Sequence, residues 1–269
     1  MAIDPLRGDD EGTVFDRAAA SYGRVGPDFF SDLGALLVER TMVPKGARMI
    51  DIGSGTGAVS LAASPRLGPT GSVLAVDLAP EMLAQLRYRL DEHMATPFTT
   101  AVMDAGFLGV RSSTFDVALS GIALQSMPDP QAAVSEMCRV LRSGGSFGAS
   151  VSTGWWWEED PRWQWHATLL DELGVTIGEA PPSSGEYFLN ELLCYMPLSE
   201  VTQSHHVLEF EFEDADTFWT WCWSHGWRGV MERLTTDQLE GYRKGVFDSI
   251  GDSPVPGQLV ADLATANHR

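Results

Sequence analysis

Two hydrophobic rhythms alternate through the first half of the chain. Short, nearly continuous apolar runs occur at residues 47–53 (ARMIDIG), 71–77 (GSVLAVD), 98–105 (FTTAVMDA), 115–121 (FDVALSG) and 145–152 (GSFGASVS). Runs of that kind, without polar alternation, read as strands covered on both faces. Between them the apolar positions recur at helical spacing. Such segments lie at 57–67, at 80–94 with Pro80 leading and Met82, Leu83, Leu86 and Leu90 on one side, and at 129–141, stopped by Ser143, Gly144 and Gly145. Two more helices are predicted ahead of the first strand, at 14–22 and at 27–41. The second has Pro27 in its first turn and Phe29, Phe30, Leu33, Leu36 and Leu37 near helical spacing. Residues 1–12 are polar and read as a tail. Strands alternating with helices predict an α/β fold with a mostly parallel sheet, which right-handed crossovers make doubly wound.

After Ser152 the rhythm stops. All nine tryptophans lie from Trp155 to Trp227. Residues 154–196 read as a helical insertion, 201–212 as a strand, 214–234 as a helix and 259–266 as a last strand, giving a seven-stranded sheet. The predicted organisation is a tail with lid helices at 1–45, a core at 46–152, and a Trp-rich helical cover carrying the last strands at 153–269.

Composition narrows the partners. Of 269 residues, 18 are Lys or Arg and 37 Asp or Glu, for a net charge of −19. Nucleic acid and anionic membrane surfaces would repel such a chain, so the expected partner is a neutral or cationic small molecule. Cys138, Cys194 and Cys222 have neither metal-ligand nor disulfide-framework spacing, so no metal is expected. The opening residues lack an apolar signal core, and no run approaches the ~18 apolar residues of a spanning helix, so a cytoplasmic location is expected.

The chemistry starts where the first strand ends, at Asp51-Ile52-Gly53-Ser54-Gly55-Thr56-Gly57. Glycines at alternate positions between a strand and a helix let the backbone turn sharply and approach a ligand. The next strand ends in Asp77, twenty residues beyond Gly57, where a carboxylate accepts from the two hydroxyls of a ribose. Together they place a nucleoside at the carboxyl edge of the sheet. The third glycine comes one residue too early for the nicotinamide fingerprint G-x-G-x-x-G.

DIGSGTG, AVDLAPEML, AVMDA, FDVALSGIALQSMPDP and RVLRSGGSF together resemble the class I S-adenosylmethionine-dependent methyltransferases, over about residues 14–152. The branch is similar to the quinone-biosynthesis C-methyltransferases and to small-molecule methyltransferases of bacterial secondary metabolism. The resemblance implies a Rossmann-like sheet. It implies that Asp51, Gly53, Ser54, Gly55 and Gly57 hold the methionine part of the cofactor and Asp77 the ribose. Leu78 and Met82 would pack near the adenine, Asp104 would accept from its amino group, and the Ala105 backbone would face its edge. The Ser120 carbonyl would meet the methionine ammonium, and Tyr22 would close a lid. Family members often carry two histidines where this chain has Gln125-Ser126. Gln125 can hydrogen-bond an acceptor but takes no proton at neutral pH.

A base, where one is needed, must come from elsewhere: His166 and His225 are the leading candidates, since both lie in the Trp-rich segments. His205 and His206 are neighbours on a predicted strand and point to opposite faces. Trp219, Trp223 and Trp227 recur every four residues as one helical stripe, with Trp155, Trp156, Trp157, Trp163 and Trp165 meeting it from the insertion. Each tryptophan can bury ~150–250 Å². Trp155, Trp163, Trp219 and Trp223 are therefore assigned to a greasy, water-excluding acceptor pocket, with a dimer contact as the other use of such surface. Glu158, Glu159 and Asp160 either steer a cationic amine or begin a helix before Pro161. The expected function is methyl transfer to a small hydrophobic or aromatic acceptor, with O-, N- and C-methylation open. Cofactor binding without transfer, and the cofactor as a cationic scaffold for a cyclisation or rearrangement, are the alternatives.

Overall fold

A computed structural model describes residues 11–90, 95–152, 160–176 and 185–269. Its elements run in chain order as α1 (Glu11–Ala18), α2 (Phe29–Arg40), β1 (Arg48–Ile52), α3 (Ala58–Leu67), β2 (Ser72–Asp77), α4 (Pro80–Arg89), β3 (Phe98–Val102), β4 (Phe115–Gly121), α5 (Pro130–Val140) and β5 (Leu141–Ser152). The remainder is α6 (Gln164–Glu172), α7 (Gly185–Leu193), β6 (Leu198–Phe212), α8 (Ala215–Ser224), α9 (Arg228–Met231), α10 (Thr236–Ile250) and β7 (Val255–His268).

The seven strands form one sheet in the order β3-β2-β1-β4-β5-β7-β6. The first five are parallel, and β7 runs antiparallel to both β5 and β6. The order reverses between β1 and β4, where Met49 lies beside Val117 and Asp51 beside Leu119. Crossovers leave the two sides of that junction in opposite directions, opening a crevice at the carboxyl ends of the strands.

Alternation along the strands assigns the faces. Ile50, Ile52, Ala118, Phe147 and Ala149 pack on α5 and α7 through Ala133, Val134, Met137, Leu189 and Leu192. Met49, Val73, Ala75, Val117 and Leu119 pack on α2 and α3 through Leu33, Leu37, Val59, Ala63 and Leu67. A third apolar cluster joins the end of β6 to the helices that follow it, gathering Phe29, Trp163, Phe212, Phe218, Trp221, Trp227, Tyr242 and Val246.

Four elements depart from the sequence reading. Helix α1 ends at Ala18, so Tyr22 sits in the turns that follow it. Strand β5 starts directly after α5, and Ser143–Gly145 form an irregularity in its pairing with β4 between Phe115 and Val117. The helix predicted at 214–234 breaks after Ser224, because His225 takes an extended backbone (φ −134°, ψ −172°). Helix α10 was not predicted. Its Thr235–Gln238 capping box and its buried Tyr242, Val246 and Ile250 are ordinary helix signals. Gly241 and Gly245 dilute that pattern, and they let Leu173 and Leu169 reach the α10 backbone.

Candidate active site

The crevice is built first from backbone. Gly53 follows β1 with φ +68°, and a Cβ there would fall 2.5 Å from Ala123 Cβ. Gly55 has φ +52° and faces open space within 4 Å of where its Cβ would stand. The loop is thus packed tightly at Gly53 and open at Gly55, as a ligand cradle requires. Ser54 N–H donates to the Val76 carbonyl at 3.0 Å, tying the loop to β2. Across the crevice Ile122, just beyond β4, has φ +46°. That is a costly conformation for a β-branched residue. It is held by donation from Ile122 N–H to the Ser150 carbonyl and hydroxyl at 3.0 and 3.1 Å.

Two acids face the loop. Asp77 Oδ2 accepts from Gly55 N–H at 2.7 Å and Oδ1 from Ala79 N–H at 2.9 Å, so it joins the glycine loop to the start of α4. Burial raises its carboxyl above the usual range. Asp51 is fully buried and its Oδ2 accepts from Ser60 Oγ at 2.6 Å. Burial pushes it up to about 7, and the charge of Asp77 adds to the rise. Asp51 Oδ1, Ser54 Oγ and Ser120 Oγ are buried with no hydrogen-bond partner among the described residues. Native proteins pair most such groups, so three around one crevice mark a place for a polar ligand.

Beside β2, Met82 is buried with Ala79 and Ala19, while Leu78 is 55% exposed. Asp104 Oδ1 accepts from Gly106 N–H at 2.8 Å, which caps the turn after β3, and Ala105 is half-buried beside it. Tyr22 packs against the Ala79–Met82 cluster and stacks on Phe30 at 5.4 Å. Burial and the Asp77 charge raise its phenol above the ordinary value. Tyr22 therefore joins the residues after β2 to the aromatic cluster of Phe30 and His225.

The residues expected to meet an acceptor fare unequally. Gln125 is buried in the short turn Leu124–Ser126. Its Nε2 donates to Ser152 Oγ at 3.1 Å, and Oε1 has no partner among the described residues. His225 is 4% exposed and packs on Tyr22 and Trp221, each at 4.7 Å between centroids, and on Phe30 at 5.5 Å. Burial lowers it to about 4. The structure thus brings Tyr22 and His225 together, although they lie far apart in sequence.

His166 is not at the crevice rim. It is fully buried, its Nε2 shares a hydrogen bond of 2.7 Å with Tyr242 Oη, and burial pushes it down to about 3. This corrects its assignment as a base: it packs α6 onto α10. Trp163 is likewise core, fully buried with Nε1 donating to the Pro256 carbonyl at 2.9 Å. The three-tryptophan stripe is also corrected. Trp219 and Trp223 are half-buried on α8, with Arg243 and Arg228 over their rings at 5.9 and 5.7 Å. Trp227 lies beyond the helix break, buried, with Nε1 donating to Tyr242 Oη at 3.2 Å. Asp160 accepts from Arg162 N–H and Nε at 3.0 and 2.8 Å, which is a turn cap with its own cation. Trp155, Trp156, Trp157, Glu158 and Glu159 lie outside the described residues. His205 Nδ1 pairs with Asp262 at 3.0 Å and His206 Nε2 with Ser204 Oγ at 2.9 Å.

Sequence reasoning missed Trp221, Phe30 and Ile122. The buried side of α8 runs Phe218, Trp221, Cys222 and on to His225, a spacing of three, four and seven. The recurrence of one residue type on the other side obscured it. Among the described residues no helix is long and apolar enough to cross a membrane, and no group of three or more His, Cys, Asp or Glu is placed to hold a metal.

Comparison with known proteins agrees with this geometry. The family model described as "Methyltransferase domain" matches residues 50–149, from β1 to β5. Aklanonic acid methyltransferase DauC of Streptomyces sp. (strain C5) is 31% identical over 132 residues, which is 49% of this chain and 60% of that protein. Nocamycin O-methyltransferase of Saccharothrix syringae is 26% identical over 84% of this chain and 85% of its own. The ubiquinone/menaquinone biosynthesis C-methyltransferase UbiE of Chromobacterium violaceum is 30% identical over 71% of this chain and 76% of its own. Among solved structures, the YcgJ protein of Bacillus subtilis has the same fold, with a TM-score of 0.58 at 20% identity over 88% of this chain and 98% of that one. The chain belongs to the class I S-adenosylmethionine-dependent methyltransferases.

Proposed function

We propose that the protein transfers a methyl group from S-adenosylmethionine to a small hydrophobic or aromatic acceptor of the secondary-metabolite kind. The observation that carries this reading is the set of buried, unpartnered Asp51 Oδ1, Ser54 Oγ and Ser120 Oγ around a glycine loop that is open at Gly55. These groups fit the cofactor. A buried acid with a free oxygen suits its cationic amino-acid end, and Asp77 after β2 suits the ribose hydroxyls. Leu78, exposed in this structure, would be covered by the adenine, and Asp104 Oδ2 is left to accept from the adenine amino group. Bound there, S-adenosylmethionine supplies an electrophilic methyl group on a cationic sulfur.

The chain's own work is positioning and drying. Tyr22, Phe30, His225 and Trp221 make an aromatic wall against the cofactor side, and Gln125 offers Oε1 from the β4 side. Such walls hold a flat acceptor in line and exclude water. The similarity to methyltransferases whose names give aklanonic acid and nocamycin as substrates supports an acceptor of that general size. Incubation with labelled methyl donor and a panel of phenols, amines and carboxylic acids tests the reading. Label in one class of product supports it. Tight cofactor binding with no transfer to any class, or product formed without label, would favour a binding or scaffolding role instead.

A further inference from the structure

One buried side chain beside Tyr22 has a ring nitrogen with no hydrogen-bond partner among the described residues. His225 Nδ1 lies 2.8 Å from Ser224 Oγ and 3.0 Å from the Trp221 carbonyl oxygen, and Ser224 Oγ donates to the same carbonyl at 2.9 Å. A carbonyl only accepts, so this network assigns the ring hydrogen to Nδ1. Nε2 is then a bare lone pair. It is buried and has no hydrogen-bond partner among the described residues. Three aromatic rings hold the imidazole in place, one of them Tyr22, which also packs with Ala79 and Met82 at the start of α4. Helix α8 is interrupted at this residue, which fixes the ring by its backbone as well as its packing.

Resting on the function proposed above, we infer that the methylated atom is a hydroxyl oxygen and that His225 Nε2 takes its proton. Gln125 Oε1, buried in the turn after β4, is likewise an acceptor without a hydrogen-bond partner among the described residues. A substrate that satisfies Nε2 must present a donor, which a carboxylate or a tertiary amine does not. As the acceptor oxygen forms its bond to the methyl carbon, the O–H proton passes to Nε2. The carbon–sulfur bond breaks with its electron pair on sulfur, leaving a neutral thioether, and the imidazolium then returns the proton to water. Burial makes His225 a weak base, held neutral at working pH, so it suits an acidic hydroxyl, a phenol or an enol, better than an aliphatic alcohol. Its titratable neighbours among the described residues are Tyr22 beyond α1 and Asp28 at the start of α2.

Two variants separate the roles of the ring. His225→Asn keeps a donor where Nδ1 meets Ser224 and Trp221 but removes Nε2. His225→Gln places an amide near Nε2 that accepts a hydrogen bond without taking a proton. With a phenolic acceptor found in the panel, His225→Asn is expected to lower kcat by at least about 100-fold. His225→Gln should restore KM but not kcat, and the acid limb of the pH profile should vanish in both. S-adenosylhomocysteine affinity, measured by calorimetry, should stay within threefold of wild type. Independently of turnover, nitrogen NMR of histidine-labelled protein loaded with S-adenosylhomocysteine should show His225 protonated at Nδ1 only. Its Nε2 resonance should shift on adding 2-naphthol and not on adding naphthalene. Methyl transfer to nitrogen, carbon or a carboxylate, unchanged kcat in His225→Asn, an Nε2-protonated ring, or no shift with 2-naphthol would each overturn the inference. Failure of the wild type to bind S-adenosylhomocysteine would instead overturn the function on which it rests.

Discussion

Asp77 accepts the Gly55 amide at 2.7 Å, so the acid that ends β2 and the loop that follows β1 form one unit. Its second oxygen holds Ala79 N–H at 2.9 Å, which fixes the start of α4. Removing the carboxylate loses both the clasp and its charge. Asp77→Ala should weaken cofactor binding by about 2 kcal/mol, roughly thirtyfold, since hydrogen bonds to charged groups contribute in that range. Calorimetric titration with S-adenosylhomocysteine checks this, and unchanged affinity would mean that Asp77 does not contact the ligand.

Asp51 titrates near neutrality. Burial raises its carboxyl to about 7 from the ordinary 3.8. The native state therefore binds this proton more tightly than the unfolded chain. The contribution to stability is full below about pH 4 and is lost as pH rises through about 7. A cationic ligand favours the ionised form, so S-adenosylmethionine binding near pH 6 should release up to one proton. Calorimetry in buffers of different ionisation enthalpy reads that number. Asp51→Asn should bring it close to zero and flatten the pH dependence of affinity.

The buried histidines act in the opposite sense. His166 is held neutral by burial, its value lowered from 6.5 to about 3. The unfolded chain binds this proton first, so the contribution is full above about pH 6.5 and is lost as pH falls towards about 3. A shift of that size corresponds to an effect on the order of 5 kcal/mol between the two limits. Urea unfolding at pH 7 and pH 5 should show wild type losing more stability than His166→Phe on acidification. An equal loss in both would show that His166 is not the acid-sensitive group.

Trp163 and Trp223 should separate packing from surface. Trp163 is fully buried and hydrogen-bonded to the Pro256 carbonyl, so Trp163→Ala should cost about 3–5 kcal/mol. Trp223→Ala, on the half-buried face under Arg228, should cost much less. Denaturant midpoints for the two variants decide it, and a reversed order would contradict the assignment of Trp163 to the core.

The strand–loop–helix rhythm from β1 to β5 was legible because both faces of a parallel sheet are buried, which forces continuous apolar runs on a short repeat. The glycine loop and Asp77 were legible because backbone geometry and charge at strand ends leave few residue choices. The cover was not. Tryptophans 219, 223 and 227 look like a stripe by spacing alone, yet one extended residue, His225, ends the helix between the second and third. Gly241 and Gly245 hid α10 for the same reason that they matter, since their missing side chains admit Leu173 and Leu169. The pairing of Tyr22 with His225 depends on where the turn after α1 and the break after α8 come to rest, and no local pattern records that.

The most direct measurement is a crystal structure of the protein grown with S-adenosylhomocysteine. The nucleoside is expected between the Gly53–Gly57 loop and Asp77, with its amino-acid end at Asp51 and Tyr22 packed over it. Density for the ligand elsewhere, with the crevice between β1 and β4 left to solvent at saturating concentration, would contradict it.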